Sequence, residues 1–254
     1  MTGRLAGRVA VITGSSRGIG RAVAEGYAKE GALVVVNSRD QAVADAAAVE
    51  IGHGAVGVGA DVATEEGAAS LLRRAVDAFG RVDVLVNNAG MAAAVDSSEL
   101  SLELWQKVVD LNMTAVFLCS REAARHMRRA GRGVIVNTAS LQAFSPFPRR
   151  LAYGATKSAV VMMTRILAAE WAPEIRVNAV APGYVRTEMT ETLRAQGRID
   201  FDAIARRTPL RRLAEPVELV GAYVYLASDE AAFVTGETIA VDGGWAAFGA
   251  FEGI

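Results

Sequence analysis

The sequence predicts a single α/β domain in which helices cover both faces of a doubly wound, mainly parallel sheet of seven strands. Short runs of valine, isoleucine and leucine alternate with longer amphipathic stretches along the whole chain of 254 residues. Continuous apolar runs are typical of parallel strands that are buried on both faces. Repeated strand–helix alternation implies right-handed crossovers. The 52% hydrophobic content is sufficient for a sizeable buried core.

Seven short segments have the composition of strands. Most of them are continuous runs of branched aliphatic residues, without the polar alternation of a half-exposed strand. The expected strands are residues 8–12, 33–37, 56–61, 82–87, 133–138, 176–180 and 238–242.

Six helices are expected between these strands, and glycine or proline marks some of their ends. Gly31 and Gly80 directly follow two of the helices, as glycines at C-terminal ends do. Pro216 fits the first turn of the last helix, where its missing N–H group is harmless. The expected helices are residues 18–30, 41–51, 65–79, 102–129, 153–171 and 216–228.

No linker, repeat or low-complexity tract divides the chain, so residues 1–254 are expected to fold as one domain. The least regular stretch, residues 185–209, is expected to form a mobile lid over the substrate. Together with residues 141–151 it is expected to line a substrate pocket. The apolar lining is expected from Phe144, Phe147, Leu151, Tyr184 and Met189, and a site for an anionic group from Arg149, Arg150 or Arg186.

Charge and composition argue against several classes of protein. The formal net charge of −1 gives no support for binding to nucleic acid. Cys119 is the only cysteine, which excludes an internal disulfide, and His53 and His126 form no HExxH pattern, so no metal site is expected. No apolar run is long enough to span a bilayer, so we expect a cytoplasmic protein without a membrane partner.

A glycine-rich turn after the first expected strand is the first candidate functional feature. Its spacing is G-x-x-x-G-x-G, and a helix is expected to begin within it. Glycine lets the backbone approach a phosphate closely, and the N–H groups of a helix N-terminus attract negative charge. A P-loop would need Gly-Lys-Ser/Thr, which the turn lacks. The turn therefore predicts a Rossmann-type sheet of order 3-2-1-4-5-6-7, with a dinucleotide pyrophosphate bound at Gly14, Ser16, Arg17, Gly18, Ile19 and Gly20.

The residues after the second expected strand favour NADP over NAD. An acidic residue here would bind the ribose hydroxyl groups of NAD, whereas a basic residue would meet the 2′-phosphate of NADP. The chain has Ser38 and Arg39 at this point, and Arg17 offers a second guanidinium. Asp40 comes one residue late and can instead pair with Arg39. The alternative is that Arg39 is only a solvated loop residue.

Two further strand ends are expected to contact the cofactor. Asp61 and Val62 follow the third strand and can contact adenine, although Asp61 can equally cap the next helix. Asn88, Ala89 and Gly90 follow the fourth strand, where small residues let a cofactor lie against the sheet edge. Taken alone, this triplet can equally be a simple turn.

Tyr153 and Lys157 predict proton transfer, because positions i and i+4 of a helix share one face. A free tyrosine titrates near pH ~10, and bringing it to neutral pH takes about 4 kcal/mol. A positive charge about 4 Å away supplies roughly that much at an effective dielectric of ~20, so Lys157 is expected to lower the pKa of Tyr153. Ser140 ends the fifth expected strand and can hold a substrate oxygen, or it can serve only as a cap or turn residue.

These motifs, in this order, resemble the short-chain dehydrogenase/reductase family in its compact single-domain branch. The stretch 226–238 is also similar to that of 3-oxoacyl-carrier-protein reductases and of sugar and secondary-alcohol dehydrogenases in the family. The resemblance covers almost the whole chain: residues 13–20, Asp61, residues 87–90, Asn112, Ser140, Tyr153, Lys157, Pro182, Gly183 and Thr187.

The resemblance implies a role for each matching residue. Tyr153 would be the general acid/base, Lys157 its partner and a ligand of the nicotinamide ribose, and Ser140 the hydroxyl that orients the substrate. Asn112 resembles an asparagine that supports a water-linked proton relay, with a helix-kink residue as the alternative. The loop near the nicotinamide carboxamide would comprise Pro182, Gly183, Val185 and Thr187.

The implied reaction is hydride transfer between a nicotinamide and a secondary alcohol or ketone, with NADP(H) favoured over NAD(H). Apolar residues on more than one face of the helices 102–129 and 153–171 resemble the family's subunit contact, so a homotetramer is expected, with a dimer as the alternative. Two other functions stay open: a catalytically idle dinucleotide-binding regulator, and an epimerase or dehydratase that recycles bound NAD.

Overall fold

The computed structural model describes residues 3–248, which are built around one seven-stranded sheet. The strands are β1 (Val9–Ile12), β2 (Leu33–Ser38), β3 (Val56–Gly59), β4 (Val84–Asn87), β5 (Gly133–Thr138), β6 (Ile175–Pro182) and β7 (Thr238–Val241). Neighbouring strands pair in parallel, in the order β3-β2-β1-β4-β5-β6-β7. The predicted fold class and strand order are therefore confirmed.

Helices cover the sheet, and most of their ends lie within two residues of the predicted bounds. The α-helices are α1 (Gly18–Lys29), α2 (Gln41–Ile51), α3 (Glu65–Phe79), α4 (Leu102–Val109), α5 (Ala115–Ala130), α6 (Leu151–Trp171), α7 (Glu188–Ala195), α8 (Phe201–Arg207) and α9 (Val217–Ala227). Gly31 and Gly80 both have positive φ angles just after α1 and α3, which is the conformation expected of glycine at a helix end.

Different helices bury the two faces of the sheet. Successive residues of a strand point to opposite faces, and in β1 Ile12 packs in a core with α1, α2 and α9, whereas Val11 packs in a second core with α3 and α5. The central strands β1 and β4 are buried along their whole length. Burial on both faces explains why their sequences are continuous apolar runs.

The predicted helix 102–129 is wrong in its continuity, because a turn of π-helix, Asp110–Thr114, separates α4 from α5. Asn112 lies in that turn and is fully buried. Its side chain accepts a hydrogen bond from the Met91 N–H at 2.8 Å and donates to the Met91 carbonyl at 2.9 Å. Single π turns are frequent at functional sites. The helical periodicity of the sequence did not predict this π turn, because the hydrogen bonds of Asn112 are made to Met91 in a distant loop.

The stretch expected to be least regular contains the two short helices α7 and α8. Thr187 and Thr190 form a capping box at the start of α7, which buries none of its residues. Helix α8 buries Phe201 and Ile204 against Leu213. These helices are too short for a clear apolar period, which explains why the sequence pattern missed them. Movement of the stretch as a lid stays a prediction.

The candidate site residues follow the carboxyl ends of the parallel strands, where such sheets bind ligands. Pairing brings β1, β4 and β5 together in the middle of the sheet, so the segments after Ile12, Asn87 and Thr138 meet at one edge. Among residues 3–248, no helix combines the length and the apolar character needed to cross a membrane.

Candidate active site

The glycine turn between β1 and α1 has the backbone geometry of a phosphate cradle. Gly14 and Gly18 have φ angles of 60° and 59°, which favour glycine. Helix α1 begins at Gly18, and the side chain of the preceding Arg17 makes no capping hydrogen bond. The first N–H groups of the helix therefore have no side-chain acceptor and are available to an anion.

Close packing behind the turn leaves no room for larger residues. A Cβ atom at Gly20 would lie 2.3 Å from Asn88 Nδ2 and 2.6 Å from the Gly14 carbonyl oxygen. Asn88 Nδ2 donates to the carbonyl oxygens of Thr13 and Gly14, each at 3.0 Å, and so joins the turn to the loop after β4. At Gly14, a Cβ atom would lie 2.9 Å from the Ala89 Cα atom. The turn and this loop form one tightly joined surface beside the start of α1, where a pyrophosphate is predicted to bind.

Replacing Gly20 by alanine is expected to raise the dissociation constant of the dinucleotide by about 5- to 150-fold. Overpacking of this kind costs about 1–3 kcal/mol, and each 1.4 kcal/mol is a factor of ten. Fluorescence titration of NADPH measures the effect.

The matched control is Gly221→Ala on α9, where a Cβ atom would meet nothing within 4 Å. That control is expected to leave cofactor affinity unchanged and to gain about 0.5–1 kcal/mol of helix stability. Equal affinity in the Gly20 and Gly221 variants would contradict the assignment of the turn as the cradle.

Two polar residues that the sequence reading missed hold the site together. Asn37, at the end of β2, accepts a hydrogen bond from the Gly14 N–H at 3.1 Å and donates to the carbonyl oxygens of Val58 and Ala60. Thr138, at the end of β5, accepts a hydrogen bond from Lys157 Nζ at 2.7 Å through its carbonyl oxygen. Both could have been recognised in the sequence, because each is a polar residue at the end of a run of apolar residues that forms a buried strand.

The end of β2 presents cationic side chains to the proposed adenosine half of the cofactor. Arg17 and Arg39 are both exposed, and neither forms an ion pair with any carboxylate within residues 3–248. Asp40 instead caps α2, since its side chain accepts a hydrogen bond from the Val43 N–H at 3.2 Å. The alternative in which Asp40 neutralises Arg39 is therefore wrong. Ser38, at the last position of β2, is half-buried beside them.

Asp61 and Val62 lie just beyond β3, at the same edge of the sheet. Asp61 is exposed, and its carboxylate accepts a hydrogen bond from the Ala63 N–H at 3.1 Å. Thr64, not Asp61, caps α3 by accepting a hydrogen bond from the Gly67 N–H at 3.0 Å. The capping alternative for Asp61 is thus wrong, and contact with adenine stays a prediction. Val62 is buried beneath this surface.

The first half of α6 carries Tyr153 and Lys157 on one face, as the spacing predicts. Lys157 Nζ lies 5.7 Å from the centre of the Tyr153 ring. The ammonium is directed at the Thr138 carbonyl, and a Cβ atom at Gly90 would lie 3.7 Å from Nζ. Ser140 is buried two residues beyond β5. The structure therefore brings the predicted catalytic side chains together beside the loop that follows β4.

The expected direction of the Tyr153 pKa is wrong for this structure. Burial raises the pKa of Tyr153 above its ordinary value, and hydrogen bonding to Ser140 and the positive charge of Arg150 oppose that rise. Burial also lowers the pKa of Lys157 to about 8. Desolvation dominates both groups because each lies in a low-dielectric interior, and the Lys157 ammonium donates to the Thr138 carbonyl and not to the phenol.

Asn112 serves as the link between the π turn and the loop after β4. Besides its two bonds to Met91, Asn112 Nδ2 donates to Thr156 Oγ1 on α6 at 3.3 Å. Its amide oxygen would lie 3.2 Å from a Cβ atom at Gly90. The kink role proposed as an alternative is thus present, and the residue is also next to the catalytic helix. Its part in a proton relay stays a prediction.

The loop after β6 approaches the glycine turn from the other side. The Thr187 Cγ2 atom lies 3.7 Å from the position that a Cβ atom of Gly18 would occupy. Val185 is buried, and Gly183 packs so closely that a Cβ atom would lie 2.7 Å from the Asp242 Cα atom. Pro182 ends β6. These residues and the turn border one cleft, which is where the nicotinamide carboxamide was expected.

Three aromatic rings form one wall of the cleft beyond Tyr153. The rings of Phe147 and Trp245 stack at 5.9 Å, and Tyr184 lies 5.3 Å from Trp245 and 6.4 Å from Phe147. Burial raises the pKa of Tyr184. Trp245 belongs to the C-terminal segment, of which residues 249–254 lie outside the described part. Phe144, Leu151 and Met189, which were also predicted to line the pocket, are exposed to solvent in this structure.

The remaining candidates for special chemistry are ordinary residues. Cys119 is buried, and burial raises the pKa of its thiol to about 12. His53 is exposed in a turn, and His126 is half-buried on α5. In the described part of the chain, no three His, Cys, Asp or Glu side chains are grouped to hold a metal ion.

Comparison with known proteins agrees with this geometry. Residues 14–246 match the family described as enoyl-(acyl carrier protein) reductase. The chain is 40% identical over 250 residues to a 3-oxoacyl-[acyl-carrier-protein] reductase of Synechocystis sp., covering 96% of this chain and 99% of that protein. It is 42% identical to a cis-4-hydroxycyclohexanecarboxylate dehydrogenase of Sinomonas cyclohexanicum, covering 94% and 97% respectively. A crystal structure of a gluconate 5-dehydrogenase from Burkholderia cenocepacia, in complex with NADP and tartrate, gives a TM-score of 0.92 at 36% identity and covers 96% and 97%.

Proposed function

The chain belongs to the short-chain dehydrogenase/reductase family, and from that premise we propose that Tyr153, Ser140, Lys157 and Asn112 carry out its reaction. The protein is a nicotinamide-dependent oxidoreductase that interconverts a secondary alcohol and a ketone. The observation that supports the residue assignment is the position of Lys157 Nζ, 5.7 Å from the Tyr153 ring and next to Gly90 in the loop that follows β4.

We propose that the cofactor lies along the carboxyl edge of the sheet, from β3 to the cleft beside α6. When bound, its nicotinamide supplies or accepts the hydride. The residues proposed to hold it are Gly14, Ser16, Arg17, Gly18, Ile19, Gly20, Ser38, Arg39, Asp61, Val62, Asn88, Ala89, Gly90, Tyr153, Lys157, Pro182, Gly183, Val185 and Thr187.

In the proposed mechanism, Tyr153 exchanges a proton with the substrate oxygen, and Ser140 holds that oxygen by a hydrogen bond. Because burial raises the pKa of Tyr153, the phenol is protonated at neutral pH and suited to donate its proton when a ketone is reduced. Ser140 is buried, so water is kept from the hydrogen bond that orients the substrate. Lys157 remains mostly protonated at neutral pH, since its pKa is about 8.

A turnover screen tests this function. NADPH and NADH oxidation would be followed with ketones, sugars, quinones and acyl thioesters, and the expected result is reduction of a ketone to a secondary alcohol. Turnover confined to a carbon–carbon double bond, or no turnover with any carbonyl compound, would overturn the proposal. A cofactor that stays bound through purification and is never released would support the epimerase alternative instead.

A preference for NADP over NAD is part of the proposal, because the exposed Arg17 and Arg39 lack protein carboxylates to neutralise them within the described chain. Replacing Arg39 by aspartate is expected to shift the NADP/NAD ratio of kcat/KM towards NAD by about 10-fold or more. Each charge-assisted hydrogen bond to a phosphate contributes about 1.5–3 kcal/mol, and an aspartate would also repel the 2′-phosphate.

The matched control is Arg74→Asp on α3, another exposed arginine that forms no ion pair with the described residues. It changes the net charge equally and is expected to leave the ratio as in the wild type. An unchanged NADP/NAD ratio of kcat/KM in the Arg39 variant would show that Arg39 does not bind the 2′-phosphate and is only a solvated loop residue.

Assembly as a homotetramer, with a dimer as the alternative, is also proposed. The support is apolar surface on α5 and α6, where Phe117 is 45% exposed, Met162 52% and Ile166 48%. We propose that these side chains belong to one apolar patch, as is typical of subunit contacts. We propose in addition that residues 1–254 act as one domain and that the protein is cytoplasmic.

A further inference from the structure

Arg150 stands at the edge of the catalytic cleft and is fixed there from the side of the loop that follows β4. It directly precedes α6, three residues before Tyr153. Its Nη1 atom donates to the Ala93 carbonyl at 3.4 Å. The carbonyl oxygen of Arg149 accepts a hydrogen bond from the Val95 N–H at 3.0 Å. These bonds tie the start of α6 to residues 93–95, which belong to the loop that follows β4.

Of the three arginines that the sequence offers for an anionic group, the structure selects Arg150. Arg186 is already paired with Glu191 at 3.0 Å and with Glu215 at 3.2 Å. Arg149 is exposed to solvent. Arg150 is half-buried, and no carboxylate among residues 3–248 forms an ion pair with it. A partly desolvated guanidinium without an anion is a ready site for one.

The charge of Arg150 acts on both phenols that border the cleft. It lowers the pKa of Tyr153 and that of Tyr184, in each case against a larger rise caused by burial. Tyr184 packs with Phe147 and Trp245 in the aromatic wall. Arg150 also lies three residues before Tyr153 at the start of α6, so the two side chains are within reach of the same end of the helix.

A second polar group near the reacting centre lacks a partner. The side-chain oxygen of Gln142 is buried and has no hydrogen-bond partner among residues 3–248. The residue belongs to the site, because its N–H donates to Ser140 Oγ at 3.2 Å. Leaving a buried acceptor unpaired costs about 1–3 kcal/mol, and a ligand hydroxyl would supply the missing donor. An unpaired acceptor on the residue that donates to Ser140 is compatible with a ligand that carries hydroxyl groups.

We propose that the substrate is a hydroxy acid, or the corresponding keto acid, whose carboxylate pairs with Arg150 while its reacting oxygen lies at Ser140 and Tyr153. The carbon skeleton packs against Phe147, Tyr184 and Trp245. The inference rests on the proposed function of the site. The carboxylate is unchanged by the reaction and contributes only binding and orientation.

The test compares ligands that differ only in charge. The first pair of probes, 4-hydroxycyclohexanecarboxylate and its carboxamide, is tested as alcohol substrates. The second pair, cyclohexanecarboxylate and its carboxamide, is tested as inhibitors of turnover of the best substrate found in the screen. Arg150→Gln is expected to raise KM or the inhibition constant for the carboxylates about 10–100-fold, and for the carboxamides less than about 3-fold. Arg150→Lys is expected to recover part of the loss, because a point charge replaces the bidentate fork.

Arg149→Gln is the matched control, since it removes the neighbouring exposed guanidinium and is expected to leave all four probes unaffected. Equal losses for acid and amide in the Arg150 variant would indicate a structural role and overturn the inference. A best substrate without an anionic group, or equal inhibition by both inhibitors in the wild type, would overturn it as well. Absence of turnover with every carbonyl compound would instead reject the proposed function, and the two failures are thus distinguishable.

Discussion

Phenylalanine in place of Tyr153 is expected to lower kcat by about 10²–10⁴-fold, the contribution typical of one positioned general acid or base. The ring is half-buried on α6, so the variant keeps its packing and loses only the hydroxyl that is proposed to exchange the proton. Affinity for NADPH should change by less than about 3-fold. Steady-state kinetics with the best substrate from the screen, together with fluorescence titration of NADPH, measure the two effects.

Tyr225→Phe on α9 provides the matched control, because it removes a second half-buried tyrosine hydroxyl away from the cleft. Its kcat should equal that of the wild type. If the Tyr153 variant retained wild-type turnover, the acid/base would have to be another group. A parallel loss of cofactor affinity and turnover would point to distortion of the site and not to a missing proton donor.

Methionine in place of Lys157 is expected to stabilise the fold at neutral pH by about 2–3 kcal/mol while activity is lost. Burial lowers the pKa of Lys157 from 10.5 to about 8, so the fold disfavours its charged form by about 3 kcal/mol. Part of the gain is offset because the Thr138 carbonyl loses its donor. Lys157 is proposed to bind the cofactor, and methionine cannot replace its ammonium.

The pH dependence follows from the lowered pKa. Below about pH 8 both the folded and the unfolded chain hold the proton, and the full cost of burying the charge is present. Between about 8 and 10.5 the folded chain releases the proton while the unfolded chain keeps it, so the wild type gains stability as the pH rises. The advantage of the Lys157 variant should therefore shrink through this window and vanish above it.

Urea unfolding of wild type and variant at pH 7 and at pH 10 measures the difference directly, and groups common to both chains cancel. Lys107→Met is the matched control: this lysine is exposed and paired with Glu103 at 2.8 Å. Such surface pairs contribute about 0.5 kcal/mol or less, so a small change with little dependence on pH is expected. A Lys157 variant that is less stable than the wild type at pH 7 would refute the cost assigned to the buried ammonium.

Local pattern was enough to predict most of the secondary structure. Buried parallel strands are short continuous runs of branched aliphatic residues, and α2 and α3 have the predicted ends because caps and C-terminal glycines mark them. The π turn at Asn112 and the helices α7 and α8 were not predicted. The first depends on bonds to Met91 in a distant loop, and the others are too short to show a period.

For the site, spacing alone identified Tyr153 and Lys157 as neighbours, because the geometry of a helix fixes which residues share a face. The sequence did not give the direction of the Tyr153 pKa. That direction depends on the balance between desolvation and the charges that the fold brings near, including Arg150 and Ser140. The spacing of Tyr153 and Lys157 on one helix indicates how the ammonium lowers the pKa of the phenol. It does not indicate how far burial raises that pKa.

The amino-acid sequence by itself determined the seven strands and most of the helices, the glycine turn and the spacing of the pair proposed to transfer the proton. These follow from local periodicity, turn chemistry and residue spacing. Only the tertiary structure decided which of Arg149, Arg150 and Arg186 keeps an unpaired charge at the cleft, since that depends on ion pairs and burial formed between distant segments. Electrostatic energies depend on distance and solvent access in three dimensions, and neither quantity is present in a linear pattern.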